Sequence, residues 1–215
     1  MMPEVVDWNA VWPAVAATLA RDGFVPRFLT EDGIRTATLR VLAEHIDVMR
    51  CAETEYPAFR LGGDRLGRLD LVVRLRTATT VIEFKYPREP RQKLPPWPDH
   101  LGGVLSDAYR LGVLAASGSA SKCIQVLVAG SSFLGYVERT MKRLGIADYR
   151  SDSRLPRMIL LSPSNTQGLS DTTRRQLKER DRSWEITAIC TALSEIPGKD
   201  LWLGAYDIAA RAVEG

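Results

Sequence analysis

Residues 68–90 read RLDLVVRLRTATTVIEFKYPREP, and this segment decides the fold expected for the chain. Its two runs, 69–76 and 79–86, are rich in branched and aromatic apolar residues, which favour β-strands. Thr77 and Ala78 stand between the runs and are suited to a tight connection. We therefore predict a β-hairpin of two antiparallel strands.

The length of the turn decides which residues of this hairpin share a face, because side chains on a strand alternate between two faces. With a connection of two or four residues centred on that turn, Asp70 lies opposite Lys85, and Val72 lies opposite Glu83. One face is then apolar and consists of Leu69, Leu71, Val73, Leu75, Ile82, Phe84 and Tyr86. The other face carries Asp70, Glu83 and Lys85 beside Val72, Arg74 and Val81, and the Cβ atoms of the two carboxylate residues are a diagonal step of about 7 Å apart.

Two carboxylates and one ammonium on a shared strand face can be explained in two ways. Across a diagonal step of about 7 Å both carboxylates can reach one divalent cation. Burying these groups on a central hairpin without a metal or close ion pairs is costly. The alternative is an ion-paired or solvated strand surface, because charged residues on one face of an amphipathic strand are common. Both interpretations remain open from these residues alone.

The same residues resemble the motif of the PD-(D/E)xK nuclease superfamily, which has the restriction-endonuclease-like fold. Asp70 matches the aspartate of the motif, and Glu83-Phe84-Lys85 matches the (D/E)xK triplet. Leu69 stands where the motif has its proline. The resemblance covers about the first two thirds of the chain. It implies an α/β fold with an αβββαβ core, in which helices flank a mixed central sheet.

The elements of that core can also be read from the sequence itself. Thr30-Glu31-Asp32 before the apolar periodicity of 34–46 predicts a first helix with an N-cap and an acidic first turn. The remaining predicted elements are a strand over 49–59, a helix over 99–116, a strand over 123–129, a helix over 131–144, a strand over 157–161, a helical segment over 171–180 and a strand over 184–190. The elements after residue 130 form a C-terminal α/β extension. No repeat or long linker is visible, so we expect a single domain spanning 1–215.

Two helices contribute further polar candidates. Helical periodicity places Glu31 on the inward side of the first helix, and the resemblance implies that such a residue supplies an additional carboxylate to the site. A favourable charge at a helix N-terminus is the alternative explanation for Glu31. In the second core helix, Asp107, Tyr109 and Arg110 occupy positions at which nucleases of this fold carry polar residues. Because the helix lacks a QxxxY pattern, we interpret these three residues as a solvated helix face.

A basic, proline-rich loop follows the hairpin. Residues 87–98 combine several prolines with Arg88, Arg91 and Lys93, which excludes regular helix or strand. These three cations are candidates for contact with a nucleic-acid phosphate backbone, and the alternative is a plain linker. The net charge of +3 permits nucleic-acid binding without requiring it.

The composition argues against several other classes of protein. With only two histidines in the chain, His-based metallohydrolase chemistry is poorly supported. Cys51, Cys123 and Cys190 are isolated, so we expect buried free thiols rather than disulfides or a zinc site. No basic segment precedes an apolar core at the N-terminus, and no apolar run has the length of a membrane span. We therefore expect a soluble, cytoplasmic protein that does not bind membranes.

The resemblance implies a metal-dependent endonuclease that hydrolyses phosphodiester bonds, with DNA as the expected substrate. Asp70, Glu83 and the backbone carbonyl of Phe84 would ligate the metal, with Glu31 as the additional carboxylate. Oxygen ligands suit Mg²⁺ or Mn²⁺. Lys85 would orient or help to activate the attacking water. The alternative is a non-catalytic nucleic-acid-binding or protein-interaction subunit on the same fold, and either protein could act as a homodimer or within a larger complex.

Overall fold

The computed structural model describes residues 5–23, 26–57, 67–88, 96–149, 153–177 and 184–213. Its helices are α1 (Trp8–Arg21), α2 (Glu31–Leu42), α3 (Val48–Cys51), α4 (Trp97–Ala116), α5 (Ser131–Leu144), α6 (Pro163–Thr166) and α7 (Asp171–Leu177), with a 3₁₀ turn at Pro26–Phe28. Its strands are β1 (Ala52–Pro57), β2 (Arg68–Arg74), β3 (Thr79–Lys85), β4 (Lys122–Gly130), β5 (Ala147–Tyr149), β6 (Pro156–Leu161), β7 (Trp184–Ile196) and β8 (Leu201–Ala212).

The strands form one mixed sheet in the order β1-β2-β3-β4-β8-β7-β6-β5. β3 and β4 pair in parallel, and the other neighbouring strands are antiparallel. A parallel pair needs a long crossover, and α4 lies in the connection between these two strands. The predicted α/β class, with a mixed central sheet flanked by helices, is therefore confirmed.

Helices cover both faces of the central strands. On one face, Trp12 of α1 belongs to the same buried cluster as Phe84 of β3. On the other face, Leu105 of α4 is buried in a second cluster with Val81 of β3. Strands that are buried on both faces carry nearly continuous apolar runs, which explains the density of Val, Leu and Ile in β2, β3 and β4. Within the ranges given above, no helix combines the length and the apolar character needed to cross a membrane.

The hairpin is present, but its predicted register is wrong by two residues. β2 and β3 pair Val72 with Val81, whereas the prediction paired Val72 with Glu83. The cause is the turn, because the Leu75 N–H donates to the Ala78 carbonyl at 2.9 Å and the turn therefore lies one residue earlier than expected. A shift by an even number of residues leaves every side chain on its predicted face.

The predicted faces are correct with one exception. Val73 and Ile82 lie in the cluster beneath α1 and α2, and Val72 lies in the cluster beneath α4. Leu69 is predicted on the same face as Leu71 and Val73, but it packs with Tyr56 in the α4 cluster. Leu69 pairs with Tyr56 of β1, and the β1–β2 ladder skips the pair at Glu55 and Asp70, where the positive φ of Glu55 interrupts the regular alternation.

Most other predicted elements are close to the observed ones. The Thr30 hydroxyl caps α2 by accepting from the Gly33 N–H at 3.0 Å, and Pro57 ends the edge strand β1. The residues 49–51, predicted as strand, belong instead to the short helix α3. Two long elements were not predicted. These are α1, which contains Pro13, and β8, which is rich in alanine, a residue depleted in strands.

Gly112 of α4 allows the helix to approach β7 and β8 closely. A Cβ atom at Gly112 would lie 2.5 Å from Ile186 Cδ1 and 3.0 Å from Ala210 Cβ. Gly112→Ala is therefore expected to destabilise the fold by about 1–3 kcal/mol through overpacking. The control is Gly103→Ala in the same helix, where a Cβ meets no atom within 4 Å. That variant should gain up to about 1 kcal/mol from helix propensity. Chemical denaturation of both variants checks the prediction, and equal stabilities would contradict it.

Candidate functional site

Asp70 lies where β2 and β3 separate. The last paired residues are Leu71 and Ile82, so Asp70 lies just beyond the end of the β2–β3 ladder. At this point the Asp70 side chain accepts a hydrogen bond from the Phe84 N–H, with 2.7 Å between Oδ2 and the nitrogen. The Asp70 carboxylate therefore accepts the hydrogen bond that a backbone carbonyl of a paired strand would otherwise accept from Phe84. It is thereby held against the backbone of the predicted (D/E)xK triplet.

The backbone of Asp70 is held from α2. Arg35 Nη1 donates to the Asp70 carbonyl at 3.3 Å and to Glu55 Oε1 at 2.6 Å. Glu55 has a φ of +52°, in the left-handed region that is uncommon for residues other than glycine. Arg35 thereby connects α2, the edge strand β1 and the start of β2 at the position of Asp70.

Glu83 is buried against α4. Its residue is 1% exposed, and the Arg110 Nη2 atom lies 2.5 Å from Glu83 Oε1. The Arg110 side chain is itself only 14% exposed. The same Nη2 atom lies 3.3 Å from Asp107 Oδ1, one helical turn away. The face of β3 that carries Glu83 is consequently covered by α4 and is not a solvated strand surface.

Lys85 connects α4 to α2. Its Nζ lies 2.8 Å from Asp107 Oδ2 and 3.7 Å from Glu31 Oε1. Glu31 Oε1 also accepts from the Tyr86 N–H at 3.2 Å, so its carboxylate is directed towards the end of β3. Glu31 therefore belongs to the site and does more than supply charge to a helix end.

We call these six groups the carboxylate cluster: Glu31, Asp70, Glu83, Asp107, Lys85 and Arg110. Four carboxylates and two cations leave a formal charge of −2 when all are ionised. Charges that are buried away from water require compensation, and breaking one partner from such a network is strongly destabilising. A divalent cation would neutralise the remaining charge.

Burial controls the ionisation of Glu83. It raises the pKa of this carboxyl well above the usual value, and the nearby Arg110 guanidinium opposes only part of that shift. The carboxylates of Asp70 and Asp107 raise the pKa further. Glu83 is thus the group in the cluster that most needs a positive charge beside it.

Lys85 behaves in the opposite way. Burial alone would lower its pKa, but the carboxylates of Asp107 and Glu31 outweigh this effect and hold the pKa of Lys85 above its usual value. For the carboxyl of Glu31, burial raises the pKa, and the positive charge of Lys85 is the main effect that opposes this shift. Lys85 therefore carries its ammonium charge at neutral pH and can stabilise negative charge, whereas it is poorly suited to act as a base.

The carboxylate oxygens of the cluster are the type of ligand that a hard divalent cation prefers, but their positions only partly match a metal site. Carboxylate oxygens are preferred by Mg²⁺ and Mn²⁺. Glu83 Oε1 and Asp107 Oδ2 are buried and have cations nearby, but no well-aligned hydrogen-bond donor among the described residues. In the same part of the chain, no group of three carboxylate, imidazole or thiol side chains converges as a complete metal site. A cation at Glu83 would have to replace the contact with Arg110.

The sequence identified four of the six residues in the cluster and missed the two on α4. The interpretation of Asp107, Tyr109 and Arg110 as a solvated helix face is wrong, because Asp107 and Tyr109 are buried and Arg110 pairs with Glu83. Helical spacing contained a signal, since Asp107 follows buried Val104 by one turn and therefore lies near the inward stripe.

The predicted basic loop is described only at its start. Arg88 is exposed and lines a cavity of about 430 Å³ together with Glu31. The two other predicted phosphate contacts, Arg91 and Lys93, lie outside the described residues. The three cysteines form no disulfide, as expected; Cys51 and Cys123 are buried, whereas Cys190 is half-buried.

Comparisons of this chain with protein-family models, with curated proteins and with solved structures found no match.

Proposed function

We propose that this protein is a metal-dependent nuclease that hydrolyses phosphodiester bonds, with DNA as its substrate and Mg²⁺ or Mn²⁺ as its cofactor. The observation that carries the proposal is the carboxylate cluster, in which the Asp70 carboxylate is held next to Glu83 by the hydrogen bond it accepts from the Phe84 N–H. Lys85 and Glu31 belong to it with Asp107 and Arg110, and the cluster has a formal charge of −2 when all six groups are ionised. The two cations of the cluster do not balance its four carboxylates in that state.

The order of elements supports the same conclusion. α2, β1, β2, β3, α4 and β4 follow one another in the αβββαβ order that the resemblance to the PD-(D/E)xK superfamily implies, with the short helix α3 inserted after α2. The four strands are also neighbours in the sheet in that order. Asp70, Glu83 and Lys85 lie on β2 and β3, the two middle strands of this unit, and this arrangement supports the proposal.

Each residue has a distinct role in the proposed site. The Asp70 and Glu83 carboxylates and the Phe84 carbonyl would hold the metal, with Glu31 close by on α2. A bound divalent cation polarises the scissile phosphate and lowers the pKa of its water. Lys85, which stays protonated beside Asp107, would orient that water and offset the charge that develops on the phosphate.

The proposal is tested by cleavage assays with Mn²⁺ on linear duplex DNA, single-stranded DNA and RNA. We expect cleavage of DNA by the parent protein and a loss of at least about 1,000-fold for Glu83→Gln, because the metal would lose a ligand and the replacement is uncharged. The matched control is Glu185→Gln, which changes a carboxylate on β7 that pairs with Arg211 away from the cluster. Absence of cleavage of all three substrates by the parent, or equal rates for parent and Glu83→Gln, would contradict the proposal.

A specific observation also favours a second candidate function. Glu83 pairs with Arg110, and Lys85 pairs with Asp107. Each of the two charged motif residues on β3 therefore already has a partner of opposite charge on α4. A non-catalytic module that binds nucleic acid or another protein would retain such pairs for stability alone. Nucleic-acid binding that persists in a chelator, with no cleavage in Mn²⁺, identifies this alternative.

A further inference from the structure

The cavity beside the carboxylate cluster has the size of a small-molecule site. Its volume is about 430 Å³, which lies within the range of roughly 300–1,000 Å³ that ligand pockets usually span. It lies between the start of α2, the segment after β3 and the start of α4, and it is lined by Thr30, Glu31, Asp32, Tyr86, Arg88 and His100. We call it the α2–α4 cavity. Through Glu31 it adjoins Lys85, which lies 3.7 Å from the Glu31 carboxylate.

His100 lines the cavity at the start of α4 and is held there by aromatic neighbours. Its ring packs between Trp97, with 5.9 Å between centroids, and the edge of Phe133, with 6.5 Å between centroids. Its Nε2 atom is buried and has no hydrogen-bond partner among the described residues. Because that atom is inaccessible, we assign the His100 ring, and not a hydrogen bond at Nε2, to contact with a ligand. Burial also lowers the pKa of His100, which favours the neutral imidazole.

The cavity carries both positive and negative charges. A suitable ligand therefore has one anionic part and one part that donates hydrogen bonds. Arg88 is exposed and supplies a cation, for which phosphate is a suitable partner. Glu31 and Asp32 supply carboxylates, which repel a phosphate and accept from amino or hydroxyl groups. A simple anion would therefore be a poor ligand, whereas a nucleotide carries a phosphate at one end and hydrogen-bond donors on its sugar and base.

Aromatic groups in the same cavity suit a base that is not paired. Tyr86 and His100 both line it, and its aromatic side chains can stack on an unpaired base. A base inside a duplex is already stacked and paired, and reaching such a pocket would require its extrusion at a cost of a few kcal/mol. An unpaired nucleotide avoids most of that cost.

We infer that the α2–α4 cavity binds one unpaired nucleotide of the substrate, with its phosphate at Arg88 and its base at Tyr86 and His100. The inference rests on the proposed nuclease function and defines the substrate class further. The preferred substrate has a single-stranded segment or a free chain end next to the phosphate that is hydrolysed.

Calorimetric titration in the presence of a chelator tests the site without relying on metal or turnover. The probes are deoxycytidine 5′-monophosphate, deoxyadenosine 5′-monophosphate, deoxycytidine and inorganic phosphate. We expect both nucleotides to bind, and Arg88→Gln to weaken nucleotide binding about ten-fold without changing nucleoside binding, which corresponds to the loss of one charge-assisted contact. His100→Gln should weaken nucleotide and nucleoside alike. Arg139→Gln and His45→Gln change exposed residues that do not line the cavity and serve as matched controls.

Three results would overturn the inference: no nucleotide binding, inorganic phosphate binding as tightly as the nucleotides, or equal effects of the Arg88 and control variants. A cleavage assay with Mn²⁺ separates this inference from the proposed function. Cleavage that prefers fully paired duplex, with Arg88→Gln and His100→Gln unchanged from the parent, overturns the cavity assignment and leaves the nuclease function standing. Nucleotide binding that depends on Arg88, without cleavage of any substrate, supports the cavity assignment and overturns hydrolysis.

Discussion

Lys85→Gln is expected to reduce the rate of phosphodiester hydrolysis by about 100- to 1,000-fold, the usual cost of removing one group that stabilises transition-state charge. Lys85 is held by Asp107 at 2.8 Å, and the neighbouring carboxylates keep its pKa above the usual value. In the proposed mechanism its ammonium would contribute a fixed positive charge beside the scissile phosphate. Because an ammonium cannot ligate a metal, Mn²⁺ affinity should remain or increase slightly.

A second lysine provides a matched control for Lys85. Lys122 Nζ also lies 2.8 Å from an aspartate, Asp207, and its side chain is similarly half-buried. Lys122→Gln should therefore perturb the fold to a comparable extent without affecting hydrolysis. Rate measurements at saturating Mn²⁺, with circular dichroism to check folding, compare the two variants. Equal cleavage rates for the parent and Lys85→Gln would remove Lys85 from the mechanism.

Arg110→Gln is expected to destabilise the fold by about 2–4 kcal/mol at pH 7.5 in the absence of metal, because it leaves the buried Glu83 carboxylate without its cation. The upper limit is the cost of protonating Glu83. Protonating a carboxyl with a usual pKa of 4.5 costs about 1.4 kcal/mol at pH 5.5 and about 4 kcal/mol at pH 7.5. Urea denaturation at the two pH values measures both quantities.

The sign of the pH dependence follows from the raised pKa of Glu83. The folded protein holds this proton more tightly than the unfolded chain, so stability falls as pH rises from 4.5 towards the raised pKa. Removing Arg110 raises the pKa further, because the opposing charge is lost, and extends the fall to higher pH. The groups that act on Glu83 are Arg110, Asp70, Asp107 and Lys85. The loss caused by Arg110→Gln should thus be larger at pH 7.5 than at pH 5.5.

Two variants control for the loss of an arginine. Arg211 pairs with Glu185 at an exposed position, and Arg211→Gln should leave stability nearly unchanged because exposed ion pairs contribute little. Combining Arg110→Gln with Glu83→Gln removes the buried charge and should recover part of the stability at pH 7.5. Two results would show that Arg110 does not compensate the buried Glu83 carboxylate. One is a loss of stability in Arg110→Gln no larger than that in Arg211→Gln, and the other is a loss that grows as pH falls.

The candidate residues on α2 and the hairpin could be predicted because they obey local periodicities. Alternation along β3 puts Glu83 and Lys85 on one side, and a shifted turn changes the strand partners only by an even step. Helical spacing after the Thr30 cap likewise turns Glu31 inward. These relations depend on residues that are close in sequence, so they can be recognised without knowing the tertiary structure.

The residues on α4 and the strand β8 could not be predicted in the same way. Asp107 and Arg110 are polar residues whose burial depends on charges from β3, more than twenty positions earlier. β8 is a strand only because it pairs with both β4 and β7, and its alanines and Gly204 give little strand signal. In both cases tertiary contacts override local propensity.

The central claim is that Asp70 and Glu83 hold a divalent cation, and it is tested most directly by a crystal structure of the protein soaked in Mn²⁺. The manganese anomalous signal would locate the ion. We predict a peak in contact with the Asp70 and Glu83 carboxylates and the Phe84 carbonyl, with Arg110 displaced from Glu83. Glu83 still paired with Arg110, with no anomalous peak between Asp70 and Glu83 at saturating Mn²⁺, would contradict the claim.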